Sequence, residues 1–538
     1  MPPQHQQSTA DALRRLVDES FASRLWQRDP SLWPAPSPGG DPADQTLGWL
    51  DLPIQLPMLA EQFEGLSGQL TADGFTDVVV LGMGGSSMTP LTLSGLFADQ
   101  SERPSGIRLH TLDTVNPATV SEISGRLNLS KTLFFVSSKS GTTVEPLSLE
   151  AYFRSAMTDG SDLSANRRNF IALTDPGTRL SDRARAGEFG TWVSTPENVG
   201  GRFSALSAFG MMPAAAVGLS IRDFAGSAGR MAQECQSDSE SNSGLELGAF
   251  MAANALAGRD KVTLLTAPEF STFGMWVDQL LAESTGKNGK GLVLITGEPM
   301  LAPDHYGSDR QFVVFETRNT ASHFERISRG LESAGHPVLT VSMPTSNRYD
   351  IAGEFFRWQF ATAIASALMG IYPFDQPDVE SAKVKSRELL THSVTDIDTV
   401  EIERALDTVN EAQSPGYVAI IAFLPESPEL TTAFTLLRKN ISTNTGMATT
   451  FGYGPRYLHS TGQLYKGGPQ NATVLGFVSG KEDDLAVPGA GFTFGQLTEA
   501  QASGDFIVME EGGQTVLPIR IGNDPIGEID TAAKELID

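Results

Sequence analysis

Cysteine, histidine and positive charge are all scarce in this chain. A single cysteine, Cys235, sits in the polar stretch "QECQSDSESNSG" of the 538 residues, so an intrachain disulfide framework is excluded. With one cysteine and seven scattered histidines, no metal-ligand cluster with recognisable spacing is present. Lys and Arg number 39 against 64 Asp and Glu, and the formal net charge of −25 disfavours nonspecific nucleic-acid binding and docking on anionic membranes. No run is apolar and long enough to span a bilayer, and "MPPQHQQSTADALRR" lacks the apolar block of a signal peptide. A soluble, cytoplasmic protein is expected. In so acidic a chain an anionic ligand would need local donors, which directs attention to Gly-rich turns and isolated Lys or Arg.

The composition itself is that of a globular protein, with 40% hydrophobic residues, and the length suits several domains or subdomains. Residues 1–45 hold one short helical pattern and then the Pro- and Gly-rich "DPSLWPAPSPGGDPAD", an irregular lead-in. From residue 46 to 235, "DVVVLGMGG", "IRLHTLD", "TLFFVSS", "NFIALTD" and "TWVST" are short apolar runs separated by helix-length segments. Continuous apolarity fits strands buried on both faces, hence a parallel α/β sheet. The polar segment 233–244 reads as a linker. The pattern restarts over 236–400 with "KVTLLTA", "GLVLITG", "QFVVFET" and "PVLTVSM" and a long helix near 350–369. A third module over 401–538 contains "YVAIIAFL", "ATTFGYG", "ATVLGFV" and "TVLPIRI". No close repeat relates the three.

Two turns in the first module bear on chemistry. "VVVLGMGGSSMTP" is a buried strand opening into Gly84, Gly85 and Ser86, and "FFVSSKSGTTVEP" is another, opening into Ser138, Lys139, Ser140 and Thr143. Glycine lets the backbone approach an anion, helix N-terminal amides point at it, and hydroxyls add donors. The first turn lacks the last glycine of a dinucleotide fingerprint, and no Gly-Lys-Ser/Thr of a nucleoside-triphosphate loop occurs. Two such turns at strand ends favour a monophosphate pocket.

A further stretch, "DQLLAESTGKNGKG", ends a helix whose apolar stripe is Phe273, Trp276, Val277, Leu280 and Leu281. At about 100° per residue Glu283 falls at the margin of that stripe, with Gln279 one turn earlier. Alone, Glu283 would read as a solvated acid before a helix stop, Arg202 as a surface ion-pair partner and Lys383 as a solvated helix lysine.

Five segments in order, "GMGGSSMTP", "SSKSGTTVEP", "NVGGRFSALSAFG", "QLLAESTGK" and "PFDQPDVESAK", resemble the glucose-6-phosphate isomerase family. The set is most similar to the branch found fused to transaldolase, without the aldolase part. The resemblance implies a fold of two doubly wound SIS-type parallel-sheet domains, followed here by the third, smaller α/β module. It implies a sugar phosphate held by Gly85, Ser86, Ser138, Lys139, Ser140 and Thr143, with Gln279 beside the base. Glu283 would be that base, Arg202 the partner of the developing oxyanion and Lys383 a further catalytic residue. The implied reaction interconverts glucose 6-phosphate and fructose 6-phosphate through an enediolate, with no cofactor or metal. A related isomerase acting on mannose 6-phosphate or a sulfosugar, and a silent sugar-phosphate sensor, are the competing readings.

One part of the family pattern is missing. The family's ring-opening histidine, commonly supplied by a neighbouring subunit, is expected near "PDHYGSDRQFVVF", where Asp309 stands in its place and only His305 is near. "GYGPRYLHSTGQLYKGGP" carries His459 in similar surroundings, but after Lys383. Ring opening by His459, by His305 or by Lys383 are three open assignments. A homodimer is the family's implication, with extra weight only if the histidine crosses between subunits.

Overall fold

A computed structural model of the chain describes residues 3–99, 105–158, 166–343, 347–392, 397–412, 415–480 and 484–536. Three parallel sheets appear where the apolar runs predict strands. The first contains β1 (Asp77–Gly82), β2 (Arg108–Leu112), β3 (Thr132–Ser137), β4 (Phe170–Thr174) and β5 (Thr191–Ser194) in the order β2-β1-β3-β4-β5. The second has β6 (Lys261–Thr266), β7 (Val293–Thr296), β8 (Arg310–Glu316) and β9 (Val338–Ser342), ordered β7-β6-β8-β9. The third has β10 (Tyr417–Phe423), β11 (Ala448–Tyr453), β12 (Ala472–Ser479) and β13 (Thr515–Ile521), ordered β11-β10-β12-β13. β1, β3, β4 and β10 are buried along their whole length, as continuous Val, Ile, Leu and Phe runs require.

Each sheet begins on an inner strand and then places later strands on both sides of it. That order makes a switch point, where connections leave the carboxyl edge in opposite directions and open a crevice. In the first sheet Gly82 of β1 is in register with Ser137 of β3. The two phosphate-like turns therefore emerge side by side.

The lead-in is more ordered than its composition predicts. Helices span Pro3–Asp18 and Phe21–Trp26. The polar segment 233–244 closes as a turn between the helices Ile221–Glu234 and Ser243–Leu256. Its Asp238 accepts hydrogen bonds from the amides of Ala22 (2.9 Å) and Ser23 (3.2 Å), satisfying orphan donors at a helix start. Cys235 is buried, and its carbonyl accepts from the Trp26 indole at 3.1 Å. Burial pushes the Cys235 thiol pKa upward.

One large apolar core unites the first two sheets with the lead-in and the helix Ile351–Met369. The third sheet has its own core, but two further clusters are shared. Ala282, Val293 and Ile295 of the second unit pack with Tyr417, Ala419 and Leu464 of the third. Phe494 and Leu497 of the helix Phe494–Glu511 pack with Leu149 and Phe153 against one face of the first sheet. Among the described residues no helix is long and apolar enough to cross a membrane.

Candidate active site

A cleft of about 460 Å³ opens where the three units meet. Gly85, Ser86, Lys139, Ser140 and Thr143 line it from the first unit, Gln279, Glu283, Gln376 and Lys383 from the second, and His459 from the third.

The backbone at the first turn is shaped for close approach. Gly84 has φ +55°, and a Cβ there would lie 2.5 Å from the His459 carbonyl oxygen and 2.9 Å from Gln279 Nε2. A Cβ on Gly85 would collide with the Gly201 carbonyl. Glycine is thus required by packing as well as by conformation. At the second turn, Ser138 and Thr143 hydroxyls share a 2.9 Å hydrogen bond, and those of Ser140 and Thr142 share one of 3.0 Å. Thr143 stands at the N-cap of the helix Val144–Met157 with no side-chain cap bond. Helix amides and hydroxyls therefore converge as an anion seat. Lys139 is tied elsewhere: its ammonium pairs with Asp175 and donates to the Glu197 carbonyl at 3.1 Å.

Glu283, in the last turn of the helix Ser271–Thr285, is 4% exposed. Oε1 accepts from Gln279 Nε2 at 3.2 Å, and Oε2 accepts from Gln376 Nε2 at 2.9 Å. Arg202 Nη1 lies 3.4 Å from Oε2. Burial pushes the Glu283 pKa above the ordinary carboxylate value, with Arg202, Gln279 and His459 opposing the shift. A carboxylate in this state is a stronger base than a solvated one. Arg202 is buried and fully engaged: Nε donates to Ser284 Oγ at 2.9 Å, and Nη2 donates to the carbonyls of Pro373 and Asp375. It therefore lies against Glu283, behind the cleft wall. The Asp375 carboxylate in turn pairs with Lys287 at 2.9 Å. Burial and the neighbouring Arg202 push the Lys287 ammonium down to about 7, against the pull of Asp375.

His459 comes from the 3₁₀ turn Arg456–His459 that follows β11. Its Nε2 is 2.8 Å from Glu145 Oε1, in the first turn of the helix behind Thr143, and Gln501 Nε2 donates to the same oxygen at 2.6 Å. Burial alone would raise the Glu145 pKa, yet the charge and hydrogen bond of His459 outweigh it and the pKa is lowered. A buried carboxylate fixing an imidazole is the arrangement that orients a proton-transfer histidine.

The other candidates for ring opening stand apart. His305 is half exposed, 3.2 Å from Asp304, and is absent from the cleft lining. Asp309 is buried, with Lys261 at 3.3 Å. Lys383 lines the cleft, but its side chain is 49% exposed and its ammonium lies 3.4 Å from Glu380. Ser138 and Arg202 are buried just behind the lining.

Sequence reasoning assigned no role to Glu145, Gln376 or Gln501. Glu145 and Gln376 lie inside quoted motifs, "SGTTVEP" and "PFDQP", so position beside a recognised turn was the available signal. Gln501 had no signal at all. Among the described residues no three His, Cys, Asp or Glu side chains gather to hold a metal ion.

Comparison with known proteins gives the same picture. Residues 56–297 match the family model described as phosphoglucose isomerase. A glucose-6-phosphate isomerase of Rubrobacter xylanophilus is 27% identical over 61% of this chain and 87% of its own length. One of Symbiobacterium thermophilum is 29% identical over 67% of this chain and 90% of its own. In fold, a hypothetical protein of Thermus thermophilus superposes with a TM-score of 0.61 at 24% identity, covering 72% of this chain and 98% of that one. The match over residues 56–297, which include both phosphate turns and the Glu283 helix, and these relatives support an isomerase similar to the phosphoglucose isomerase family.

Proposed function

We propose that this isomerase interconverts glucose 6-phosphate and fructose 6-phosphate, in glycolysis and gluconeogenesis, in the cytoplasm. The observation that carries the reading is the buried Glu283, held by Gln279, Gln376 and Arg202 at a cleft that also contains a hydroxyl-rich anion seat and His459. The phosphate sits on the seat formed by Ser86, Ser140 and Thr143, with the Ser138 hydroxyl holding that of Thr143 and the helix amides behind Thr143. Glu283 removes the carbon-2 proton of the open-chain aldose and returns it to carbon 1, so one group serves both transfers. Negative charge moves from the carboxylate to the enediolate during the first transfer. The Arg202 charge, fixed beside Glu283 and shielded from water, offsets it in both places without reorganisation. His459, oriented by Glu145, exchanges protons with the ring oxygen and the anomeric hydroxyl as the pyranose opens.

No redox partner enters the balance: one proton leaves carbon 2, one arrives at carbon 1, and the proton of the carbon-2 hydroxyl passes to the carbon-1 oxygen. A silent sugar-phosphate sensor would have no use for a carboxylate with a raised pKa packed against an arginine. The relatives named glucose-6-phosphate isomerase support this sugar over mannose 6-phosphate or a sulfosugar. Following fructose 6-phosphate formation from glucose 6-phosphate in a coupled assay tests the proposal. Turnover of mannose 6-phosphate with none of glucose 6-phosphate would reject it.

A further inference from the structure

We infer that residues 401–538 are a built-in part of the active site, delivering His459 to Glu283 of the same chain, so that one polypeptide holds a complete site. The inference rests on the proposed isomerase reading and adds which polypeptide supplies each group.

The first observation is how the histidine is held. His459 reaches the cleft between two residues of the other units: Glu145 binds its ring at 2.8 Å, and Gln279 donates to its carbonyl at 3.0 Å. Gln279 also binds the Glu283 carboxylate, so a single side chain links the base to the histidine's backbone. The position of His459 is therefore set by the same chain's catalytic helix.

The second observation is that the surrounding segment is locked at several buried points. Arg456 makes a two-pronged ion pair with Asp113, both bonds 2.8 Å, at the end of the first sheet. Gln463 donates to the Gly286 carbonyl at 2.9 Å and accepts from the Asp378 amide at 3.1 Å. Gly286 follows the Glu283 helix, and a Cβ on it would lie 2.5 Å from Leu464 Cα. The helix stop and the third unit's segment are cut to fit each other. Buried ion pairs of this kind contribute more to fixing one arrangement than to net stability.

The third observation is that the module closes the cores of the other two units. Phe494 and Leu497 cover a face of the first sheet, and Ala282, on the Glu283 helix, packs into the cluster containing Tyr417 and Leu464. Removing the module would expose apolar surface on both units, so it is docked in the resting fold and not only on substrate binding.

The test uses two full-length variants with different affinity tags, Glu283→Gln and His459→Ala, co-expressed so that any mixed oligomer can be isolated by tandem purification. If each site is complete within one chain, the mixed species turns over glucose 6-phosphate no faster than the two variants alone. If the histidine crosses between chains, one of the two sites regains both groups and activity returns to the mixed species, which overturns the inference. Where no mixed species forms, wild-type specific activity that stays constant on dilution to monomer supports it, and activity lost in step with dissociation overturns it. His459→Gln, which keeps a polar partner for Glu145, replaces His459→Ala if the alanine variant misfolds. Wild-type turnover by either His459 variant would remove the histidine from the site and overturn the inference. Wild-type turnover by Glu283→Gln would instead reject the proposed chemistry, so the two failures are distinguishable.

Discussion

Replacing His459 with alanine should separate two steps that the cleft assigns to different groups. The perturbation removes the imidazole and with it the ring nitrogen that binds Glu145, which keeps only the Gln501 bond on Oε1 and has no partner on Oε2. A positioned acid–base group contributes ~10²–10⁴-fold. That is roughly 3–5 kcal/mol of barrier at 1.36 kcal/mol per decade. Turnover of glucose 6-phosphate, which must open its ring, should fall by that factor. Exchange of the carbon-2 proton on an aldose phosphate unable to close a pyranose depends on Glu283 and should survive. Stability should fall as well, by about 1–3 kcal/mol, the cost of leaving a buried polar group unsatisfied. Adding Glu145→Gln to the His459→Ala background should recover part of that stability in denaturant titrations, with no recovery of ring opening. His305→Ala, at its exposed site, should change neither rate. Equal loss of both reactions in His459→Ala, or a selective ring-opening defect in His305→Ala, would refute the assignment.

The remaining predictions concern the base, the glycine turn and the phosphate seat. Burial raises the Glu283 pKa, so the base is fully formed only above a value higher than an ordinary glutamate's. Activity should therefore climb with pH through that window. A raised carboxyl pKa contributes stability that is present below the unfolded-state value and lost as pH rises through the folded one, so stability should decline over the same window; Glu283→Gln should flatten that decline in denaturant titrations, and an unchanged decline would show that another group sets it. Gly84→Ala should cost about 1–2 kcal/mol for the left-handed backbone alone. It should lower turnover too, because its Cβ meets Gln279 and the His459 carbonyl; a melting temperature and rate equal to wild type would contradict that geometry. Thr143→Ala, at the cleft lining, should raise KM for 6-phosphate sugars about tenfold, the value of one hydrogen bond to a charged group, and an unchanged KM would move the phosphate off this turn.

The fold was legible because the chemistry of a two-sided parallel sheet is local. β1, β3 and β10 are unbroken apolar runs, and the switch-point turns carry the glycines and hydroxyls their geometry requires. The position of Glu283 was read less well. The helical wheel places it at the margin because a wheel assumes one solvent face, whereas this helix is covered on the far side by the third unit, where Ala282 packs. Glu145 and His459 are 314 residues apart, and nothing in either segment announces the other. The exposure of Lys383 and the engagement of Lys139 by Asp175 were equally hidden, since a motif fixes residue type and leaves the rotamer to tertiary contacts.

The base itself is the most direct point of test. Glu283→Gln keeps the size of the side chain and one of its two acceptor oxygens, and removes its ability to take a proton. Measured in the coupled assay alongside fluorescence-monitored binding of a non-isomerising hexitol 6-phosphate, the variant should bind as wild type does and lose ~10²-fold or more of its turnover. Retention of more than about a tenth of wild-type turnover, well above what loss of a positioned base permits, would contradict the central claim that this buried carboxylate moves the carbon-bound proton.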